Sequence, residues 1–517
     1  MNNLTENNTL AAENVALKNR ICELEFLVKY YEEQFRLAKH RQFGASSEKS
    51  DIEQISLFNE AEGTADEKIA EPKLVEIEKH YRKRKRAAGD SLPENLPVET
   101  VEHTLPEDGQ ICSECGGALH IMGRQSRREL KIIPAQVKVV EHIQHIYSCR
   151  NCESHNDHTP IVKAVPPEPV IKGSFASAEA VAYIMTQKFM MGLPLYRMEQ
   201  EWSRQGIMLS RQTMSNWLIR CAEDWLEPIY DKLRGKLLKQ DVLHADETTV
   251  QVLHEPGKTA QSNSYMWLYR TSGGAENPIV LYEYQPDRRA ERPQSFLKGY
   301  KGYLHTDGYD GYHKLGDDIT IVGCWAHARR RFNEALKGLS REHQKDSLAQ
   351  IGMWYCNALF KLERKYAEYS AEKRYEARMK CSLPLAEDFL LWAKSVDALP
   401  KSLIGKALGY LTEQWIYLKN VYLDGRLELS NNRAERSIKP FVIGRKNWLF
   451  ANTTKGARAS SVIYSIIETA KENHLKPFEY LTWLLQTMPN TTTGKIDELL
   501  PGGDKIPTSC RQPQIDS

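Results

Sequence analysis

The sequence predicts a multidomain α/β protein, and three patterns in its 517 residues support that prediction. Strand-like segments begin at Asp241, after a long helical region. Two pairs of cysteines precede them, and near the N-terminus apolar residues recur every seven positions. Because single hydrophobic cores rarely grow beyond about 250–300 residues, a chain of this length should contain several domains.

The composition is that of a globular protein without membrane-spanning segments. Hydrophobic residues make up 41% of the chain, which is enough for ordinary globular cores. No apolar run approaches the roughly 18–20 residues of a spanning helix, and the N-terminus has no apolar signal region. We therefore expect a soluble, cytoplasmic protein with no membrane partner. The net charge of +2 hides strongly basic segments, so it does not exclude nucleic acid as a partner.

Residues 1–45 are predicted to form a coiled coil. Its seam consists of Leu10, Asn14, Leu17, Ile21, Leu24, Val28, Tyr31, Phe35 and Ala38. A polar residue at an a position, here Asn14, selects one register of paired helices. The alternative is a single amphipathic helix that packs on its own domain. The narrow seam favours a coiled coil that joins copies of the chain.

Residues 46–98 are predicted to be a charged linker, acidic at first and then basic. Residues 99–160 contain two CxxC pairs separated by 33 residues, formed by Cys112, Cys115, Cys149 and Cys152. Four thiolates at about 2.3 Å suit tetrahedral zinc, and two strands are predicted between the pairs, the second over residues 138–148. This pattern predicts a zinc ribbon. A redox role for one CxxC pair is the alternative.

Residues 170–238 are predicted to be helical. Within them, one helix is followed by a turn at Gly206 and a second helix for which Ser210 is the candidate N-cap. This arrangement predicts two helices joined by a tight turn.

From Asp241 the apolar period changes to that of strands. The order is three strands, helix, strand, helix, strand and helix, which is the order of a ribonuclease H-like domain. Residues 239–335 form its first part, 336–425 a helical insertion, and 426–487 its last part. Residues 488–517 are predicted to be a C-terminal tail.

Three acidic residues are candidates for catalysis. Asp246 lies on the first strand, Asp307 ends the fourth, and Glu435 lies on a helix. Acids on two strands and a helix can meet at one point and hold two divalent cations, which clamp the attacking and leaving oxygens of a phosphodiester displacement. Strand alternation puts Glu247 on the opposite face from Asp246, and only one of the two can reach a shared metal. Asp310, the competitor of Asp307, is expected to be a turn residue.

Glu435 is expected in a short basic helix that Ser430 opens and that Pro440 stops or kinks. Asn432 and Lys439 share the helical face of Glu435. An ion pair with a basic neighbour is the structural alternative to a metal ligand. The neighbouring basic residues are expected to bind DNA phosphates, and the aromatic residues beyond them lie in reach of bases.

Cys324 and His327 have CxxH spacing at a strand-to-helix junction. They lack partners for a second zinc site, so we expect a structural pairing close to the active centre. Arg329, Arg330 and Arg331 would then face phosphate.

Several strings together resemble the large transposase of the insertion-sequence-66 family of bacterial mobile elements. They are FGASSEK, CSECGG with CRNC, HADETTVQVL, HTDGYDGY, GCWAHARRRF and LSNNRAERSIKPFVIGRKNWLF. They span nearly the whole chain from about residue 10 to 500. The sequence departs from the family near its end, where Pro501, Gly502 and Gly503 replace aromatic residues.

The resemblance implies a ribonuclease H-like core in which Asp246, Asp307 and Glu435 form the acidic triad. It also implies a leucine zipper, a zinc ribbon and helix-turn-helix binding to the terminal inverted repeats of the element. Small accessory proteins of the same element are implied partners. The residues that we expect to contact DNA are Arg211, Arg329, Arg330, Arg331, Asn432, Arg433, Arg436, Lys439, Arg445 and Lys446.

The expected activity is cleavage at the element's ends followed by attack of the freed 3′-hydroxyl on target DNA. The expected cofactors are two Mg²⁺ ions, with Mn²⁺ as an alternative ion, and one structural Zn²⁺. Two other functions remain open. One is a DNA-binding regulator with an inactive core, and the other is a ribonuclease H-like nuclease that cleaves without strand transfer.

Overall fold

A computed structural model defines residues 136–148 and 161–513, together with Thr100 and eight residues between Lys18 and Phe35. The chain divides into two compact units. One contains residues 45–164, and the other contains residues 1–44 and 165–517. Among the described helices, none combines the length and apolar character that a bilayer crossing requires.

The smaller unit contains a short antiparallel pair of strands. Strand β1 (Ile146–Ser148) pairs with β2 (Ile161–Lys163). The sequence predicted a strand over 138–148 and a ribbon ending at 160. The observed strand is shorter, and its partner lies beyond the predicted end. All six residues of the pair are exposed, so apolar alternation gave no signal for β2.

Within residues 165–240, four α-helices precede the main sheet: α1 (Ala178–Phe189), α2 (Leu195–Arg204), α3 (Arg211–Cys221) and α4 (Glu227–Leu237). The predicted helix, turn and helix are confirmed in α2 and α3. Gly206 has a φ of +79°, which an L side chain rarely adopts. The Ser210 side chain accepts a hydrogen bond of 3.1 Å from the backbone N–H of Thr213 and caps α3.

The main sheet has six strands, of which five follow the order β5-β4-β3-β6-β7 and the sixth, β8, pairs with one end of β3. The strands are β3 (Val242–His254), β4 (Asn263–Thr271), β5 (Val280–Gln285), β6 (Gly302–Thr306), β7 (Ile319–Gly323) and β8 (Ala451–Thr453). The first three are antiparallel neighbours, whereas β6, β7 and β8 run parallel to β3.

The connections of this sheet match the prediction in part. Helix α5 (Glu291–Phe296) lies between β5 and β6, as predicted. The helix expected between β6 and β7 is only a 3₁₀ turn (Tyr312–Lys314). Strand β8 was not predicted, because three residues carry too little alternation to be recognised.

A helix covers the outer edge of β5. Helix α14 (Thr454–Glu472) presents two hydroxyl groups to backbone N–H groups that have no strand partner. Thr469 Oγ1 accepts from Val280 N at 3.0 Å, and Ser465 Oγ accepts from Tyr282 N at 2.7 Å. An edge that is satisfied in this way cannot pair with another chain.

The segment between β7 and the last part of the core is helical, as predicted. Its helices are α6 (Trp325–Gly338), α7 (Arg341–Gln344), α8 (Leu348–Lys365), α9 (Ala371–Ala377), α10 (Leu383–Ser395), α11 (Leu403–Glu413) and α12 (Trp415–Leu418). Fully buried aromatic residues, including Trp325, Phe332 and Phe389, form its core. The same cluster includes Val242 of β3 and Val322 of β7, so the helical segment packs against the sheet through it.

The helix that carries Glu435 is longer than the sequence predicted. Helix α13 (Asn432–Trp448) continues through Pro440, and Asn431 rather than Ser430 is its N-cap. Proline inside a helix costs about 3 kcal/mol or more. Phe441, which follows it, is fully buried, so packing of the second half of α13 outweighs that cost.

Helix α15 (Pro477–Thr487) follows α14. The segment predicted to be a tail packs against it, since the Tyr480 hydroxyl donates to the carbonyl oxygen of Leu499 at 2.7 Å. Leu500 and Ile506 are also buried.

One buried arginine organises the end of the insertion. The side chain of Arg378 is 1% exposed and forms an ion pair with Glu363. Its remaining N–H groups donate to the carbonyl oxygens of Val421 (3.3 Å), Asp424 (3.2 Å) and Leu427 (2.7 Å). All the donors of the guanidinium are thus used. The segment that it holds leads directly into α13.

We predict that Arg378→Met destabilises the insertion by about 3–5 kcal/mol, because Glu363 and three carbonyl groups lose their partner in a buried place. Urea unfolding followed by tryptophan fluorescence measures the change. Arg364→Met, at an exposed position of α8, is the control and should change stability by less than about 0.5 kcal/mol. Equal stability of the two variants would contradict the structural role of Arg378.

Candidate active site

The register of two parallel strands brings two aspartates together. His244 on β3 pairs with His305 on β6. Since side chains on a strand repeat every second residue, Asp246 and Asp307 lie two positions further on the same face of the sheet. Neighbouring strands are about 4.8 Å apart, so the two carboxylates are side by side. Asp307 directly follows the last residue of β6.

Glu435 joins this pair from the first turn of α13. Burial raises the pKa of the Asp246 carboxyl well above its ordinary value. The carboxylates of Glu247, Asp307 and Glu435 raise this pKa further, since each lies close enough to repel a negative charge on Asp246. The structure thus brings all three predicted acids to one place, where a cation would relieve their repulsion.

Glu247, the neighbouring acid on β3, faces the other way. Its side chain is 2% exposed and forms an ion pair with Arg288. The hydroxyl of Tyr312 donates a hydrogen bond of 2.7 Å to Glu247 Oε2. Burial raises the pKa of Glu247, and Arg288 opposes that rise. Glu247 therefore has structural partners already. The alternation of β3 put the two acids on opposite faces, and the choice of Asp246 came from the family resemblance.

Two histidines lie behind the aspartates. The rings of His244 and His305 stack with centroids 4.3 Å apart and planes at 9°. Both are fully buried, and burial lowers the pKa of His244 to about 3 and that of His305 well below its usual range. Both rings are therefore neutral. This stack was not predicted, although the repeated H-x-D of HADET and HTDGY was a usable signal for it.

Asn431 connects the histidine stack to the two helices of the site. Its side chain is hydrogen-bonded to His244 Nδ1 at 3.0 Å and donates to the carbonyl oxygen of Ala245 at 2.8 Å. Its backbone N–H donates to Cys324 Sγ at 3.1 Å. Asn431 is fully buried. Asn431 was not among the residues predicted from the sequence, because its partners are far away in the chain.

Cys324 and His327 lie next to Glu435, as predicted for a pairing close to the active centre. One potential ligand atom of each of the three residues lies within 4.8 Å of the others. Burial raises the pKa of the Cys324 thiol to about 11 and lowers that of His327. The missing partner that argued against a metal at this CxxH pair is thus supplied by Glu435, from a segment about 110 residues later in the chain.

The three predicted DNA-binding arginines of α6 have different partners. Arg330 donates to Glu435 Oε2 at 3.3 Å, and its side chain is 52% exposed. Arg329 donates to Asn357 Oδ1 at 2.9 Å. The guanidinium of Arg331 lies 5.7 Å from the centre of the Tyr410 ring.

The predicted DNA contacts on α13 differ in how exposed they are. Arg433 donates to Glu428 Oε1 at 2.7 Å, and Arg445 donates to the backbone oxygen of Thr249, so both have partners inside the protein. Burial lowers the pKa of Arg445. Asn432 and Lys439 are half-buried, whereas Arg436 and Lys446 are exposed.

Two further predictions concern other parts of the chain. Arg211 is exposed at the start of α3, with Glu199 at 3.9 Å. The four zinc-binding candidates Cys112, Cys115, Cys149 and Cys152 lie outside the described residues.

Comparison with curated proteins finds relatives of similar length. The protein y4jD of Sinorhizobium fredii is 30% identical over 427 residues, which cover 79% of this chain and 81% of that protein. The protein y4qI of the same organism is 28% identical over 522 residues, with 95% and 90% covered. Both are described as uncharacterized.

Comparison with solved structures finds a Drosophila P element transposase strand transfer complex. The alignment covers 57% of this chain and 93% of that one, with 13% identity and a TM-score of 0.30. A TM-score this low carries no argument about fold or function.

Sequence families match nearly every part of the chain. Residues 30–101 match a family described as transposase C of IS166 homeodomain, and residues 110–153 a zinc-finger binding domain of transposase IS66. Residues 465–501 match an IS66 C-terminal element. Residues 173–459, more than half of the chain, match the transposase IS66 family. The chain therefore belongs to the IS66 family of transposases.

Proposed function

We propose that this transposase is catalytically active, cleaving DNA at the ends of its mobile element and joining the freed 3′-hydroxyl to target DNA. One observation carries the proposal. Asp246 and Asp307 each lie two residues after the paired His244 and His305 of two adjacent parallel strands. Glu435 is close enough to raise the pKa of Asp246. Three carboxylates at one point are the donor set of two-metal phosphodiester chemistry.

We further propose that the catalytic core is ribonuclease H-like. The strand order β5-β4-β3-β6-β7, with three antiparallel strands followed by two parallel ones, supports this assignment. So does the position of the acids, which lie on the central strand, after its parallel neighbour and on a late helix.

The residues of the site fit divalent cations. Their ligand atoms are carboxylate oxygens, which Mg²⁺ and Mn²⁺ prefer. Glu435 Oε1 is buried and has no hydrogen-bond partner within the described part of the chain. The carboxylates of Asp246 and Asp307 each accept a backbone N–H, at 2.9 Å from Glu247 and 3.0 Å from Tyr309, and these bonds orient them.

In this proposal Asp246, Asp307 and Glu435 hold two Mg²⁺ ions, or Mn²⁺ in their place. When bound, the ions supply charge that stabilises the attacking and leaving oxygens. The protein's own part is to fix the distances between the carboxylates and to bind the DNA strand against them. Arg330, beside Glu435 and half-exposed, is suited to contact the phosphate next to the scissile bond.

We propose that helices α2 and α3 bind the terminal inverted repeats, with Arg211 contacting DNA. The exposed side chains of Arg330, Arg436 and Lys446 are suited to phosphate contacts near the cleavage site. Arg433 and Arg445 would have to leave internal partners to do the same. We also propose DNA contacts for the remaining predicted residues, which are Arg329, Arg331, Asn432 and Lys439.

We propose that Cys112, Cys115, Cys149 and Cys152 hold one structural Zn²⁺. The match of residues 110–153 to a zinc-finger binding domain supports a zinc site in this segment. Structural zinc sites with four thiolates contribute folding energy directly.

We propose that the N-terminal seam joins copies of the chain. The described residues between Lys18 and Phe35 are helical. Those at a and d positions are 46–70% exposed, namely Ile21, Leu24, Val28, Tyr31 and Phe35. Large apolar side chains exposed at this spacing gain most free energy by packing against a second helix. Accessory proteins of the element are further proposed partners.

We predict that Asp246→Asn, Asp307→Asn and Glu435→Gln each lower cleavage of element-end DNA by more than about a hundredfold. Loss of one charged ligand weakens a cation clamp worth several kcal/mol. Binding of end DNA should stay nearly unchanged, because the binding helices lie elsewhere. Asp310→Asn is the matched control, since its side chain is 88% exposed three residues after Asp307.

A strand-transfer assay with end DNA, target DNA and Mg²⁺ measures this prediction and separates the functions. Joined products support the transposase. Cleavage without joining would identify a nuclease, and binding alone would identify a regulator. Near-normal cleavage by any of the three variants would remove that residue from the triad.

We predict one zinc per chain in the purified protein, and its loss in Cys112→Ser together with local unfolding of residues 100–160. Elemental analysis of both proteins measures the metal. Cys381→Ser is the control, because this cysteine is exposed and distant in sequence. A wild-type protein without zinc, or a Cys112→Ser variant that retains it, would refute the site.

We predict that replacing both Leu17 and Leu24 by Glu separates the chains, since buried like charges at d positions destabilise a coiled coil. Light scattering measures the mass. Activity on paired ends should fall more than binding to a single end. Asn19→Glu, at an outward f position, should leave the mass unchanged. A monomeric wild type, with and without DNA, would contradict the proposal.

A further inference from the structure

We infer that His327 is a direct ligand of the cation held by Glu435, so that the two metal positions of the active site differ in chemistry. This inference rests on the proposed function, because it requires Glu435 to bind a metal ion. It assigns a catalytic role to a residue outside the three acids.

The backbone fixes the distance between these two residues. His327 lies on the first turn of α6 and Glu435 on the first turn of α13. Two hydrogen bonds tie the starts of these helices together. Trp325 N donates to the carbonyl oxygen of Leu429 at 3.1 Å, and Asn431 N donates to Cys324 Sγ at 3.1 Å.

The facing atoms of the two side chains leave a gap suited to a cation. His327 Nδ1 and Glu435 Oε1 are 3.8 Å apart, which is too long for a hydrogen bond. Both atoms are buried, and neither has a hydrogen-bond partner within the described residues. Leaving a buried polar atom unpaired costs about 1–3 kcal/mol. Ligand distances of about 2.0–2.2 Å on each side would bridge the gap.

Arg330 occupies the far side of the same residues. Its guanidinium lies 3.3 Å from Glu435 Oε2 and 3.4 Å from His327 Nε2. Both contacts are long, and the side chain is half-exposed, so it can turn away when a metal ion or DNA arrives. The competing role for His327 is that its Nδ1–H only orients Glu435.

Cys324 lies close enough to bind the same cation, but its sulfur already accepts a hydrogen bond. Its sulfur is fully buried and accepts the backbone N–H of Asn431, which positions α13. We therefore assign the imidazole and the carboxylate, not the thiol, as ligands.

The two positions should prefer different ions. Asp246 and Asp307 offer oxygen only, which suits Mg²⁺. A carboxylate with an imidazole suits Mn²⁺, Co²⁺ or Zn²⁺ better, because nitrogen ligands favour transition metals. The position at Glu435 should thus bind Mn²⁺ more tightly than Mg²⁺.

Mn²⁺ titration of the untagged, full-length, zinc-loaded chain tests the inference by electron paramagnetic resonance without any measurement of activity. Electron spin-echo spectra should show a directly coordinated nitrogen, and ¹⁵N-histidine labelling should change that signal. In His327→Ala the signal should vanish and Mn²⁺ affinity at this position should fall at least about tenfold. His343→Ala, at an exposed histidine of α7, and Cys324→Ser should both keep the signal.

The outcomes separate the inference from the proposed function. If Mn²⁺ binding depends on Asp246 and Glu435 but shows no nitrogen in the wild type, His327 is not a ligand and the inference fails alone. The same holds if the nitrogen signal survives in His327→Ala. If Mn²⁺ binding is unchanged in Asp246→Asn and Glu435→Gln, the acidic site does not bind metal and the proposed function fails.

Discussion

The geometry of the site depends on the buried side chain of Asn431. Its amide bonds to His244 and Ala245 on β3, and its backbone N–H bonds to Cys324 at the start of α6. An unpaired buried amide group costs about 1–3 kcal/mol, so a shift of α13 would break several favourable contacts at once. Glu435 lies one turn later, and its N–H is bonded to the carbonyl oxygen of Asn431. The distance from Glu435 to the sheet therefore follows from this residue.

The charges around the site leave the carboxylates available for cations from solution. The histidines behind the two aspartates are neutral, because burial opposes their protonation. Two of the nearby arginines are paired with acids outside the triad, Arg288 with Glu247 and Arg433 with Glu428. A lysine or arginine bound to Asp246 would compete with the metal. The only ion pair within the described residues that involves the triad and an arginine is that of Arg330 with Glu435, and this arginine is half-exposed.

Local patterns in the sequence predicted much of this arrangement. The change from helical to strand period located β3 to β7, and alternation separated Asp246 from Glu247. The features that the sequence did not predict depend on contacts between residues far apart in the chain. Asn431 meets residues up to 187 positions away, β8 is held by pairing to β3, and Pro440 is tolerated because Phe441 is buried. No periodicity carries such information, since it records only which face of an element is buried.

The insertion shows why Glu435 can be so far from Asp307 in sequence. The helical segment that contains the insertion begins at Trp325 and ends before Leu429, and a backbone hydrogen bond of 3.1 Å joins these two residues. The loop-closure cost rises only slowly with length, so a large body between adjacent ends adds little to it. The insertion is held by its buried Arg378 and by a hydrophobic cluster that it shares with Val242 and Val322 of the sheet. Changes within it therefore reach the acidic site through the segment after Val421, which Arg378 holds in place, and through Tyr410, whose hydroxyl donates to the backbone oxygen of Asp307 at 3.0 Å.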